Sequence, residues 1–334
     1  MPDTAPSGAR PAGRAVAAAA GAPRRGVAVA EPDGRREWRA PFPLDLGLTL
    51  RPHRRGLGDP AFFTEPDGTV WRASFTPEGP GTLRLRQRGD GREPGGVVEA
   101  AAWGPGARWL LDGVPDLLGA RDVPEEFVPR DPVVREAVRR CPGLRIGRTG
   151  RVFEALVPAV LEQKVLTAEA WRAWRYLVRR FGRPAPGAPW LRVPPPPRVW
   201  ARIPSWEWHR SGAEPSRART IIGAARVASR LEALPEGEAA GRLLRTLPGI
   251  GEWTAAEVLQ RAAGDADAVS VGDHHLPGIV GWSLAGRKVD DAGMLELLAP
   301  YAGHRHRVTR LLELTGAAPP RRGPRLPVRD YRRF

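Results

Sequence analysis

The chain has 334 residues, 42% of them hydrophobic, and a formal charge of +15, enough to bury a sizeable core in two or three domains. Its single cysteine, Cys141, excludes an internal disulfide, a Cys-ligated iron–sulfur cluster and a Cys-rich zinc site. No apolar run approaches the ~20 residues needed to span a membrane, and the basic balance favours a polyanionic partner, nucleic acid first.

Residues 1–41, rich in Ala, Gly, Pro and Arg without apolar periodicity, read as a disordered tail. Structure is expected to start near Phe42. "PLDLGLTLRP", "TVWRASFTPEG", "TLRLRQRG" and "GVVEAAAWG" alternate between turn residues as antiparallel strands do. With the helix "GARWLLDGVPDLLG" they make a small α+β domain over 42–125. Asp131 is then a plausible N-cap with Pro132 in the first turn. "FEALVPAVLEQKVLTAEAWRAWRYLVRRFG" reads as one long helical stretch with Pro158 as a kink, and "RPAPGAPWLRVPPPP" as a Pro-rich connection. Further helical segments follow, so 126–316 reads as an all-α bundle. Residues 317–334 hold six Arg against Asp330 and read as an Arg-rich tail. Residues 1–40 hold seven Arg against four acids, which leaves +7 on the body.

Within the bundle, "LPGIG" at 247–251 joins two helical segments. Gly249 and Gly251 permit a tight turn and close approach, which leaves the turn amides and the next helix N-terminus open to an anion such as phosphate. The turn is not a dinucleotide fingerprint, since no strand precedes it and a third glycine is missing. Taken alone, Leu247, Pro248, Gly249, Ile250 and Gly251 could equally just close a helical hairpin. Asp273, in "SVGDHHL", could be presented on a loop or could cap a helix. His274 and His275, and His304 and His306, are pairs without a third ligand at metal spacing, so no zinc site is read from them.

Together "LPGIGEWTA" and "SVGDHHL" resemble the helix-hairpin-helix and Gly/Pro-Asp motifs of the helix-hairpin-helix/GPD DNA glycosylase superfamily. The nearest branch is the AlkA-like 3-methyladenine DNA glycosylase II type, and the resemblance covers about 42–316. It implies an α+β chain whose small TBP-like antiparallel sheet domain precedes the helical glycosylase region. Asp273 becomes the catalytic carboxylate, stabilising positive charge on the sugar as the N-glycosidic bond breaks. Trp253 stands where bifunctional relatives place a lysine, so base release without strand cleavage is expected. With Tyr301, Glu257 and His274 it is expected to line the base pocket, where an aromatic ring stacks on a flipped base.

Glu257 replaces a family aromatic and could supply a proton. Trp206 and Trp208 could lie near the pocket, though core packing is the stronger reading. Lys164 takes the place of the apolar wedge, filling the vacated space with its stem, while Gln163 beside it could bond the orphaned base. The hairpin, with Thr254, should grip phosphates. The resemblance also implies a monovalent cation, Na or K, held by the backbone of Arg245, Leu247 and Ile250, and no other cofactor.

The expected reaction is hydrolytic excision of 3-methyladenine or 7-methylguanine from damaged double-stranded DNA, by a monomer in the cytoplasm near the nucleoid. Rival readings are a non-catalytic hairpin DNA-binding protein, an Arg-rich RNA-binding protein, and a glycosylase for another base.

Overall fold

The structure, a computed structural model, describes residues 29–235 and 237–315. Residues 1–28 and 317–334, which make up most of the two expected tails, lie outside the described residues.

Strands β1 (Gly34–Arg39), β2 (Phe62–Thr64), β3 (Val70–Thr76), β4 (Gly79–Arg88) and β5 (Val97–Trp103) form an antiparallel sheet in the order β1-β5-β4-β3-β2. Side chains alternate between faces. Val70, Leu83, Leu85, Ala100 and Ala102 join Leu46, Leu50, Leu110 and Leu111 in one core, which helices α1 (Leu46–Leu50), α2 (Ala107–Asp112) and α3 (Val114–Leu117) help to form. Trp71, Ala73, Ala101 and Trp103 belong to a second core on the other face.

Two expectations change here. Gly34–Arg39 lies in the stretch expected to be a disordered tail and is a strand, because backbone pairing with β5 and the Arg36 hydrogen bond to the Leu111 carbonyl (3.0 Å) need no apolar run. "LGLTL" alternates like a strand and is a helix. The Asp45 carboxylate caps it by accepting from the Leu48 amide at 2.8 Å, and Leu46, Thr49 and Leu50 turn inward at helical spacing.

The rest of the chain runs α4 (Pro132–Arg140), α5 (Val152–Leu161), α6 (Thr167–Phe181), β6 (Arg183–Ala185), β7 (Ala188–Val193), α7 (Pro197–Trp200), α8 (Ser205–Ser211), α9 (Pro215–Arg226), α10 (Ala228–Glu232), α11 (Glu238–Leu244), α12 (Glu252–Ala262), α13 (Leu276–Ala285), α14 (Asp291–Leu298) and α15 (Arg305–Thr315). The fold is therefore α+β. The region 126–316 is not all-α: the Pro-rich stretch forms the β6–β7 hairpin, whose Ala185, Ala188, Leu191 and Val193 cover Trp71 and Trp103. A second face of aromatic side chains on the sheet needs that cover, which the local reading of the prolines missed.

Nearly all of α5 is buried, packed with residues of α6, α9 and α12. The helix continues through Pro158, and the chain breaks instead at 162–166, where Lys164 adopts a left-handed backbone (φ 51°). A separate core joins residues of α4, α13, α14 and α15 through Val134, Val280, Met294, Leu298, Val308 and Leu312.

Candidate active-site cleft

An open cleft of about 1940 Å³ is bordered by the α5–α6 turn, the hairpin before α12, the loop before α13 and the segment 47–57. It exceeds the roughly 300–1,000 Å³ of a small-molecule pocket.

Asp273 lies on this cleft, half-buried just ahead of α13. Its Oδ1 accepts from the amides of His275 (2.8 Å) and Leu276 (3.0 Å), although the N-cap of α13 is His275 and not Asp273. Its Oδ2 accepts from the indole N–H of Trp253 at 3.0 Å. One oxygen is thus occupied by backbone, while the other faces a single side-chain donor. The two amides at the start of α13 hold the carboxylate in place on the cleft.

Trp253 also lines the cleft, one turn ahead of Glu257 on α12. Glu257 is neither a surface residue nor a free acid. Its Oε2 pairs with Arg261 at 2.8 Å and its Oε1 accepts from Ser270 Oγ at 2.6 Å. Both oxygens of the carboxylate thus have partners within the protein, a guanidinium and a hydroxyl. Ser270, Gln260 and Arg261 form this network, with Gln260 Nε2 donating to Ser270 Oγ at 2.9 Å. Sequence reasoning missed all three, although Ser270 lies only three residues before Asp273.

Tyr301 is not among the cleft residues. It is 3% exposed in the core with α4, α14 and α15, and its hydroxyl donates to the Asp131 carboxylate and accepts from the Asp131 amide (2.9 Å). Burial, reinforced by Asp131, pushes its pKa up to about 12. Asp131 sits at the N-cap position of α4, yet its side chain serves Tyr301 rather than the helix. Contact across 170 positions overrode the local capping signal. His274 and His275 are exposed beside Asp273, with ring centroids 4.8 Å apart. Trp208 is buried against Trp200, and neither it nor the exposed Trp206 lines the cleft.

The hairpin has the geometry its glycines suggested at one position and not at the other. Gly249 has φ +85°, and a Cβ there would stand 2.1 Å from Thr220 Oγ1. At Gly251 a Cβ would meet nothing within 4 Å, so close approach inside this protein does not require that glycine. Pro248, Gly249 and Gly251 are exposed, whereas Ile250 is buried and its amide closes the turn onto the Leu247 carbonyl at 3.1 Å. The first amides of α12 have no partner within the helix. Thr254 does not face outward: it is 2% exposed and accepts from Gln163 Nε2 at 2.8 Å. Gln163 also donates to the Gly249 carbonyl at 2.9 Å. Its amide nitrogen is therefore turned to the hairpin rather than to an orphaned base, while Lys164 next to it is exposed on the cleft.

Among the described residues no group of three or more His, Cys, Asp or Glu could hold a metal ion, and no helix is long and apolar enough to cross a membrane.

A helix–hairpin–helix followed by a carboxylate on a cleft, beside an antiparallel sheet, is the arrangement that the resemblance to the helix-hairpin-helix/GPD DNA glycosylases implies. The AlkA-like resemblance read from the sequence is shown by comparison with known proteins. The chain is 32% identical over 169 residues to the "Probable bifunctional transcriptional activator/DNA repair enzyme AlkA" of Mycobacterium tuberculosis, a match covering 49% of this chain and 32% of that protein. It thus spans about a third of the length of the curated relatives it matches. No family model matches. In structure it is similar to a 3-methyladenine DNA glycosylase from Archaeoglobus fulgidus, with TM-score 0.71, 19% identity, and coverage of 84% of this chain and 98% of that one. An 8-oxoguanine glycosylase/lyase of Clostridium acetobutylicum, in complex with double-stranded DNA, aligns with TM-score 0.65 and 12% identity over 85% of this chain and 97% of its own. At such identities the structural likeness shows the fold alone.

Proposed function

We propose that this protein is a DNA N-glycosylase of base excision repair, acting as a monomer on damaged double-stranded DNA in the cytoplasm, at the nucleoid. The observation that carries the reading is Asp273, held by two amides at a cleft lip beside Trp253 and the hairpin. The small sheet domain is read as TBP-like. Hairpin amides and the α12 N-terminus grip phosphates, with carbonyls of Arg245, Leu247 and Ile250 holding a monovalent cation. Hard carbonyl oxygens around one turn suit such an ion, and the Leu247 carbonyl keeps a lone pair beyond its bond to Ile250.

The reaction is hydrolysis. The N-glycosidic bond breaks with its electron pair leaving on the base, the Asp273 carboxylate stabilises the positive charge developing on the sugar, and water adds at that carbon and loses its proton to solvent, leaving an abasic site. Trp253 orients Oδ2 and offers its ring face to the flipped base. Because Glu257 is committed to Arg261 and Ser270, the leaving base is one that departs without a proton donor, as cationic N3- or N7-alkylated purines do. Trp253 carries no amine for a Schiff base, so strand cleavage does not follow.

Single-turnover release of 3-methyladenine or 7-methylguanine from duplex DNA tests this, with scission scored before and after alkali. Release with intact strands before alkali is expected. Salt-sensitive binding without any base release would favour a non-catalytic hairpin protein.

A further inference from the structure

Leu57 is 86% exposed, the most exposed large apolar side chain among the described residues, and it borders the same cleft as Lys164. A lone exposed leucine ordinarily needs no explanation, but the loop that presents this one is fastened on both sides. Before it, Gly56 (φ +77°) lies so close to Trp171 that a Cβ would stand 2.4 Å from the ring. After it, buried Asp59 accepts from the Arg55 amide (2.6 Å), the Ala61 amide (3.0 Å) and the Trp174 indole (2.9 Å). The same anchors reach the Lys164 turn: Trp171 Nε1 donates to Glu162 at 3.2 Å, and Arg55 Nε lies 3.9 Å from that carboxylate. Two exposed tips, one apolar and one cationic, are thus held to one scaffold at the edge of one cleft.

We infer that Leu57 is the apolar wedge of this protein, entering the DNA stack beside the flipped nucleotide while Lys164 supplies charge. The inference rests on the proposed action on duplex DNA. One side chain on a fixed loop cannot make a protein interface, which needs on the order of 1,000 Å². It does match one opened base step, into which leucine is among the residues that proteins insert. Pre-fixing the loop removes the ordering penalty that a mobile tip would meet on insertion.

The test uses a duplex holding a tetrahydrofuran abasic analogue, with 2-aminopurine opposite it as a fluorescent reporter of unstacking. Wild type is expected to raise the fluorescence on binding. Leu57→Ala should lose most of that rise while its affinity for undamaged duplex falls by less than about tenfold, since phosphate contacts dominate that affinity. Leu57→Met should restore the rise, and Lys164→Ala should keep it. Equal responses from wild type and Leu57→Ala would overturn the wedge and leave the glycosylase reading standing. A wild type that binds neither duplex and releases no base from alkylated DNA would overturn both.

Discussion

Trp253 and Asp273 are joined by one hydrogen bond, indole N–H to Oδ2 at 3.0 Å, while Oδ1 is held by the amides of His275 and Leu276. The pair links the first turn of α12, directly after the hairpin, to the start of α13. An enzyme gains most from a charge that is already oriented before the reaction begins.

Asp273→Asn keeps an oxygen for the two amides but removes the charge. Base release should fall by roughly 10²- to 10³-fold or more, with DNA binding unchanged or tighter because a negative charge near phosphates is gone. Single-turnover excision and a binding titration on the same duplex check this. Equal excision rates for the two proteins would sink the catalytic role.

The two hairpin glycines should separate. Gly249→Ala forces a left-handed backbone and a clash with Thr220, destabilising the fold by roughly 1–3 kcal/mol, which thermal unfolding would register. Gly251→Ala meets open space in the free protein and should leave Tm unchanged while weakening DNA binding. Unaltered affinity in a well-folded Gly251→Ala protein would show that phosphate does not approach there.

Gln163 braces the α5–α6 turn against the hairpin through Gly249 and Thr254. Gln163→Leu leaves the buried Thr254 hydroxyl without that donor and should lower stability by about 1–2 kcal/mol. Urea denaturation is the measurement, and an unchanged midpoint would mean the brace contributes nothing.

His53 and His306 are held well below the ordinary imidazole range, first by burial and then by neighbouring guanidinium groups, Arg72 foremost for His53 and Arg310 for His306. Folded chains therefore resist protonation that unfolded chains accept. The stability is fully present above the unfolded value of about 6.5 and is lost as pH falls toward the lower folded values. Urea midpoints should drop between about pH 7.5 and pH 5.5, with a shallower drop in His306→Gln. A midpoint independent of pH over that window would contradict the burial of neutral imidazoles.

The hairpin was legible in the sequence because its signal is local: two glycines and a proline within five residues, read directly as backbone geometry. Most sheet strands were legible for the same reason, their alternation being written along the chain. Asp273 could be singled out, but whether it capped or faced a cleft could not. Its Oδ2 partner lies 20 positions away, and only folding showed that it faces the cleft while His275 takes the N-cap position. Glu257, Tyr301 and Gln163 were each placed by motif position and then claimed by partners elsewhere: Arg261 and Ser270, Asp131, and the hairpin itself. The Pro-rich stretch became a hairpin because the outer face of a sheet 80 or more residues earlier had to be covered. Local propensity and motif spacing are properties of neighbours along the chain. Which polar group ends up facing another is decided by burial, which leaves each buried donor and acceptor to find a partner wherever the tertiary structure brings one.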